Sequence, residues 1–239
     1  MAKRLFLAAT LVALATTAVL ALWVTPPREA QGWDAVRLLY LHAPFAFLTY
    51  VAFGVTALCS ILWLVPRTRN ATWDLLAGAS AEVGVVFTAL TLVVGSIWGR
   101  PTWGVYWAWD ARLTFTAILF FLYLGYLALR RTGATAAERG TRCAIAALIA
   151  FADAPIVHFS VNWWQTLHQQ GTVFNSSLDV QVDGSMALTL VIGVLAFTML
   201  YAYLVMERFQ LAQLEEGREE RELQRAIAER IQASEVVPA

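Results

Sequence analysis

The sequence predicts an all-α, polytopic membrane protein with six transmembrane helices. Of its 239 residues 59% are hydrophobic and only 14% are charged, whereas a soluble domain is typically about one quarter charged. The apolar residues also form six blocks, each near the ~20 residues that cross a bilayer as a helix. These blocks lie at 5–24, 44–65, 76–97, 113–129, 143–160 and 185–206. We therefore expect a six-span domain over residues 1–206 and a charged tail over 207–239, with a kink at Pro155 near the outer end of the fifth span.

The first block resembles a secretory signal, because Lys3 and Arg4 precede an apolar run. It lacks a convincing small-residue cleavage site, however, and Trp23 and Val24 continue directly towards Pro26. We therefore expect this block to remain in the protein as the first span.

The distribution of basic residues predicts that both termini are cytoplasmic, because cytoplasmic loops carry the excess of Lys and Arg. With the N-terminus inside, only four of the 17 basic residues fall outside: Arg28, Arg37, Arg100 and Arg112. The tail has mixed charges and apolar residues at helical spacing, Leu223, Ile227 and Ile231. It is expected to form a solvated cytoplasmic helix or, alternatively, a helix that docks a cytoplasmic partner.

Several classes of function are excluded by composition and motifs. The net charge is zero, so no basic face indicates nucleic-acid binding. The isolated Cys59 and Cys143 form neither a C-x-x-C nor a haem-attachment motif. No P-loop, H-E-x-x-H or nucleophile elbow is present. Two acids inside predicted spans, Glu82 and Asp153, keep a proton-coupled permease under consideration.

Tryptophan is concentrated on the predicted outer face. Only Trp63 and Trp73 of the ten tryptophans lie at the inner interface. The other eight lie at or beyond the outer one: Trp23, Trp33, Trp98, Trp103, Trp107, Trp109, Trp163 and Trp164. An aromatic belt would anchor both interfaces and does not explain this asymmetry. The stretch WGRPTWGVYWAWDARL, residues 98–113, alone holds four tryptophans and a tyrosine, which predicts an aromatic platform for a flat ligand.

All three histidines share this bias towards the outer face. His42 is expected to close the first outer loop, His158 to lie near the outer end of the fifth span, and His168 to lie in a later outer loop. Two imidazoles can hold a haem iron from opposite faces, and aromatic rings can wall a porphyrin plane. Arginines in the same loops could pair with propionate carboxylates, namely Arg37, Arg100 and Arg112. Asp110 could orient a histidine, cap the following helix or exclude a misplaced propionate.

These motifs resemble a known family. WGVYWAWDARLT, at 103–114, is similar to the WGxxWxWD signature of the tryptophan-rich (WWD) haem-handling proteins of cytochrome c biogenesis. Within that superfamily the chain resembles the CcmC family, through LLYLHAPFAF (38–47), residues 96–126 and FSVNWWQTLHQ (159–169). CcmF-type proteins are far longer, and CcsA-type proteins follow the motif with DPKE. Here Asp110 is followed by Ala111-Arg112-Leu113-Thr114.

The resemblance implies that His42 and His168 are the axial ligands of a haem b. The residues expected around that haem are Arg100, Trp103, Gly104, Trp107, Trp109, Asp110, Arg112, Trp163 and Trp164. His158 is a departure from the family pattern, and it is expected to be a packed residue, a hydrogen-bond partner or a spare iron ligand.

The same resemblance implies a haem-transfer protein rather than an enzyme, in a bacterial cytoplasmic (inner) membrane. It would present haem on the periplasmic face to the chaperone CcmE, within a complex that contains the ABC-transporter subunits CcmA and CcmB and the small protein CcmD. Those subunits would hydrolyse ATP. Three alternatives stay open: a membrane redox protein, a permease that uses Glu82 and Asp153, and a docking or structural subunit.

Overall fold

A computed structural model describes residues 1–29, 32–132, 135–168 and 184–235. Six segments in these ranges are long and apolar enough to cross a membrane, which confirms the predicted all-α fold with six spans. They are Ala2–Val24, Asp34–Leu64, Ala71–Trp103, Ala111–Arg130, Ala136–Trp163 and Gly184–Gln232. The described residues contain no β-strand, only an isolated bridge between Arg28 and Trp33.

Seven α-helices build the six spans within the described ranges. They are α1 (Ala2–Val19), α2 (Leu39–Leu64), α3 (Ala71–Trp103), α4 (Ala111–Arg130), α5 (Ala136–Phe151), α6 (Asp153–Trp163) and α7 (Gly184–Glu235). A π-helical turn, Leu20–Val24, extends α1, and a 3₁₀ turn, Asp34–Leu38, leads into α2.

All six spans begin earlier than the apolar blocks, and four of them end later. His42, predicted to close a loop, instead lies in the first turn of α2. Trp98, Arg100 and Trp103 lie on the last two turns of α3, and Arg112 lies on α4 rather than in the loop before it. Hydropathy detects the apolar stretch, whereas backbone hydrogen bonding continues the helix through polar and aromatic flanks. Some candidate residues are consequently held by helix ends, whereas Trp107, Trp109 and His168 lie in the connections between helices.

The fifth span is interrupted at Ala152, between α5 and α6. Pro155 is the third residue of α6 and explains this break, because it lacks the N–H that would bond to the carbonyl of Phe151 and its ring clashes there. The predicted effect of Pro155 on the fifth span thus takes the form of an interrupted helix. The first half of the span, α5, ends at Phe151, four residues before the proline.

The core lies around α2, which packs against α3, α5 and α7. The rings of Phe53 on α2 and Tyr123 on α4 are stacked, with centroids 3.6 Å apart. Polar contacts also join α3 to α2 and α7. Ser80 Oγ on α3 lies 2.8 Å from the Ala52 carbonyl oxygen on α2 and 2.7 Å from the Tyr201 hydroxyl on α7. Close packing and interhelical hydrogen bonds of this kind stabilise helix bundles in lipid.

The two ends of the bundle differ in their residues. One end, here called the charged end, contains ion pairs between helices. Lys3 Nζ lies 2.7 Å from Glu207 Oε1, and Arg139 Nη2 lies 2.6 Å from Glu216 Oε2. The N-terminus and the first part of the predicted tail therefore pack against the bundle there. At the opposite end, here called the aromatic end, α3 and α6 finish and α2, α4 and α7 begin.

Candidate functional site

A cavity of about 370 Å³ opens at the aromatic end. Its walls come from the start of α2, the end of α3, the α3–α4 connection, the start of α4 and the segment after α6. The aromatic and charged side chains that line this main cavity are His42, Trp98, Trp103, Tyr106, Trp107, Arg112 and His168. The fold thus brings both histidines of the predicted ligand pair to one cavity.

His42 is fixed by α3. Its Nδ1 lies 3.1 Å from the backbone oxygen of Thr91, and because a carbonyl only accepts, Nδ1 is the donor and Nε2 keeps its lone pair. The ring lies directly on Gly95, where a Cβ atom would come within 2.7 Å of His42 Cε1. Trp98 meets the imidazole edge-on, with ring centroids 5.8 Å apart. The backbone and packing of α3 therefore orient this imidazole.

His168 is fixed by Asp110 and Trp103. Its Nδ1 lies 3.3 Å from Asp110 Oδ2, which again leaves Nε2 as the nitrogen available to a ligand. The backbone N–H of Leu167 donates to the same oxygen at 3.1 Å. The Trp103 ring is 4.7 Å away at 68°. A carboxylate bonded to the second nitrogen of an imidazole is the usual support of a metal-binding histidine.

Asp110 performs two of the roles considered for it. It is the N-cap of α4, with Oδ1 accepting from the backbone N–H of Leu113 at 2.8 Å, while Oδ2 holds the His168 segment. Burial acts to raise the pKa of Asp110, but the hydrogen bonds from His168, Leu113 and Leu167 outweigh it and hold that pKa below its usual value. The carboxylate therefore stays charged and ties two cavity walls together.

Two buried donors in the cavity wall have no hydrogen-bond partner among the described residues: Arg112 Nε and Trp107 Nε1. Arg112 also donates through Nη2 to the backbone oxygen of His158 at 3.0 Å, which anchors the guanidinium. Buried donors are nearly always paired. Two such donors beside a cavity are available to a ligand that carries acceptor atoms.

A smaller chamber of about 100 Å³ adjoins the main cavity. It shares His42, Arg112 and His168 with the main cavity, and it is otherwise lined by residues that include Thr49, Tyr50, Thr91, Thr116 and Val157. The space around the two histidines therefore continues between the helices, towards α6.

Arg100, Gly104 and Arg37 lie outside the cavity lining. Arg100 is exposed, donates to the Gly104 carbonyl and lies over the Tyr106 ring at 5.7 Å. Gly104 ends α3 with φ +80°, the left-handed conformation that favours glycine at a helix C-terminus. Arg37 is bound by Asp34 at 2.9 Å. Of the three arginines considered for propionates, the structure brings only Arg112 to the cavity.

Three predicted tryptophans also lie outside the cavity lining. Trp109 is 82% exposed and touches the cavity only through Trp107, whose ring is 5.5 Å away. Trp163 and Trp164 are 57% and 49% exposed on and after the end of α6. His158 is likewise exposed on α6 and lines neither space.

The two acids proposed for a permease line neither the main cavity nor the chamber. Glu82 is paired with Arg208 of α7, with Oε1 3.0 Å from Nη2. Asp153 is buried at the start of α6 and lines neither space. The permease hypothesis required both acids to face a central cavity, and neither the main cavity nor the chamber supports it.

The sequence interpretation missed Thr91 and Gly95. They lie four residues apart on α3, and Trp98 follows three residues later, so the three share one helix face. Thr91 and Gly95 already lie inside the predicted block 76–97, but nothing in the sequence indicated that this face of α3 would pack against His42.

Comparison with known proteins shows the family. The model for CcmC, Heme exporter protein C, matches residues 1–224. A Heme exporter protein C of Haemophilus influenzae is 39% identical over 218 residues, covering 89% of this chain and 85% of that protein. One from Bradyrhizobium diazoefficiens is 39% identical over 178 residues, covering 74% of this chain and 66% of that protein, just under two thirds. A putative cytochrome c biosynthesis ccmC-like mitochondrial protein of Marchantia polymorpha is 38% identical over 165 residues, 68% of each chain. With its six apolar helices this is a multi-pass membrane protein, and it belongs to the CcmC, or Heme exporter protein C, family.

Proposed function

We propose that this protein binds haem b in the main cavity and presents it on the outer face of a bacterial cytoplasmic membrane to the haem chaperone CcmE, for maturation of c-type cytochromes. His42 and His168 are the axial ligands. The names of the relatives, which refer to heme export and to cytochrome c biosynthesis, support this role. Haem is the cargo of the protein, not a resident cofactor.

The observation that carries the proposal is the geometry of the two histidines. They come from distant parts of the chain, line one cavity, and each has Nδ1 engaged so that Nε2 is left for iron. Neutral imidazole is a common ligand of haem iron. Bound haem supplies an iron that accepts one nitrogen from each histidine.

The remaining lining also suits a porphyrin. Trp98, Trp103 and Tyr106 offer apolar aromatic walls. Arg112 and Trp107 offer unpaired buried donors for the acceptor groups of the ligand, and a propionate carboxylate is the partner that guanidinium groups prefer. These residues hold and orient the haem, while Asp110 keeps His168 in place.

The side of the membrane follows from charge. Thirteen of the 17 basic residues belong to the segments predicted to be cytoplasmic, and the positive-inside rule assigns those segments to the cytoplasm. The charged end is then cytoplasmic and the aromatic end is periplasmic. The partners implied by the family are CcmE, CcmD and the ABC-transporter subunits CcmA and CcmB. ATP hydrolysis belongs to those subunits, and this protein is a haem-handling protein, not an enzyme.

A second role for the aromatic end is favoured by the tryptophans outside the cavity. Trp109, Trp163 and Trp164 are each about half exposed or more. Exposed aromatic residues are typical anchors of protein interfaces. They fit a docking surface for a partner at the cavity mouth, and this role is compatible with haem binding.

Optical spectra of purified protein from haem-replete cells test the proposal. We expect a Soret band in the parent and its loss in His42→Ala and in His168→Ala, because each change removes one axial ligand. His158→Ala serves as the histidine control and keeps the band. A parent without haem, even when CcmE is co-expressed, would overturn the proposed function. Loss of haem only in His158→Ala would overturn the ligand assignment.

A further inference from the structure

His158 lies in an unusual position for a histidine. It is five residues before Trp163, the last residue of α6, so it lies about 7.5 Å below the end of that helix. Its side chain is exposed, and neither ring nitrogen has a hydrogen-bond partner among the described residues. An unpaired ionisable group in a membrane span is costly and therefore a candidate functional residue.

Two aromatic rings contact this imidazole. Phe159 and Tyr50 meet it edge-on, with centroids 4.9 Å and 6.0 Å away. Phe159 and Trp163 lie nearly parallel, at 29° and 5.7 Å, and they are 45% and 57% exposed. Together, Phe159, Trp163 and the His158 ring form an exposed surface on α6, here called the α6 aromatic face. A flat aromatic ligand fits such a surface better than a polar one.

The α6 aromatic face lies directly behind the wall of the chamber. Val157, the preceding residue, lines the chamber, and so does Tyr50, which touches the His158 ring. Arg112 lines both the chamber and the main cavity and donates to the His158 backbone oxygen. Val157 and Tyr50 thus lie between the exposed imidazole and the space that holds His42 and His168.

We propose that His158 is an entry ligand, which binds the iron of a porphyrin dissolved in the bilayer before the porphyrin reaches the main cavity. This inference rests on the proposed function. Imidazole is a suitable iron ligand, the α6 aromatic face accommodates the ring plane, and Tyr50 lies between the two sites. Transfer inward exchanges one imidazole for another on the iron and requires no electron.

Haem loading kinetics test this role on the full-length protein in lipid nanodiscs. Haem is supplied either from vesicles that contain it in their bilayer or from serum albumin in water, and the Soret band is followed in time. We expect His158→Gln to slow loading from vesicles about tenfold, which corresponds to about 1.4 kcal/mol, and to leave loading from albumin and the final Soret amplitude unchanged. Added imidazole should restore the rate of His158→Ala, because it replaces the lost ligand.

The other outcomes overturn the inference in distinguishable ways. Equal rates for parent and variant show that His158 does not bind entering haem. Equal slowing from both donors, without rescue by imidazole, indicates a structural role. Loss of a co-purifying membrane subunit with unchanged rates indicates that His158 contacts a neighbouring helix instead. A parent that takes up haem from neither donor overturns the proposed function, and this inference with it.

Discussion

The charged and aromatic ends of the bundle use polar residues in opposite ways. At the charged end, Arg130 holds both oxygens of the buried Asp74, at 2.7 and 3.0 Å, and Arg139 bridges to Glu216, although Arg139 Nε has no partner among the described residues and lines neither the main cavity nor the chamber. At the aromatic end, Arg112 and Trp107 each keep a buried donor without a partner in the described part of the chain. The ion pairs of the charged end hold helices together. The unpaired donors of the aromatic end are available to a ligand.

The difference shows which charges in a membrane protein indicate function. Paired charges satisfy one another and leave nothing for a substrate, so Glu82, once paired with Arg208, loses its value as evidence for transport. Unpaired donors at a cavity retain their capacity to bind. Four substitutions test this contrast, from the largest expected effect to the smallest.

Asp74→Ala should destabilise the protein most. It leaves Arg130, whose side chain is 13% exposed, without its partner, and loss of one member of a buried pair typically costs about 3 to 5 kcal/mol. Thermal unfolding in detergent measures the effect. The double variant Asp74→Leu with Arg130→Met removes both charges and should recover most of the stability. Haem content per folded molecule should not change, and a selective loss of haem would contradict the division between the two ends.

Asp110→Asn should weaken haem binding by about 10- to 100-fold, the usual effect of losing the support of a metal-binding histidine. Asparagine is as good an N-cap as aspartate, so the start of α4 is retained. The negative charge that Asp110 places beside His168 is lost. Haem titration measures the affinity. Asp110→Ala is the matched variant: it should show the same loss of affinity and an additional loss of about 1 kcal/mol in unfolding free energy. An unchanged affinity in both variants would show that Asp110 is only a cap.

Gly95→Ala should lower haem affinity about tenfold, equivalent to about 1.4 kcal/mol. Its Cβ would lie 2.7 Å from His42 Cε1 and would displace the ring from Thr91. Gly125→Ala is the control, because a Cβ there meets nothing within 4 Å, and it should raise stability by up to about 1 kcal/mol. If both variants bind haem like the parent, the Gly95 contact does not position His42.

Lys3→Gln should have the smallest effect. Lys3 bonds to Glu207 and Gln210 at the charged end, but this pair is largely exposed, at 38% and 40%. Exposed ion pairs contribute little to stability, so the unfolding temperature should match that of the parent. A large drop in the unfolding temperature would show that α1 depends on this contact to stay packed against α7.

The fold was predictable from the sequence because each membrane span can be recognised from its own apolar residues. Each span is a long apolar block, and bilayer thickness sets its length, so the six spans could be located without knowledge of their packing. The helix ends were not predictable in this way. His42 was expected in a loop because YLHAP precedes the apolar block, yet the structure shows that the helix begins at Leu39.

The site was predictable only in part, because its contacts join residues far apart in sequence. The family motif predicted His42 and His168 as a pair of iron ligands. The structure brings both to one cavity. Nothing local to His42 indicated that the Thr91 carbonyl, 49 residues away, would hold its ring. Conversely, the aromatic motif suggested that Trp109 would line the site, whereas it is almost fully exposed. Tryptophans crowded in sequence need not point the same way.

The length of α7 has a further consequence. Its 52 residues span about 78 Å, well over twice the ~30 Å of a hydrocarbon core. Beyond Glu216, its contact with Arg139, the helix runs roughly 28 Å further, and residues 218–232 are exposed. A protein held at its tip would be kept at a set distance from the bilayer, and removing one helical turn would shorten that distance by about 5.4 Å.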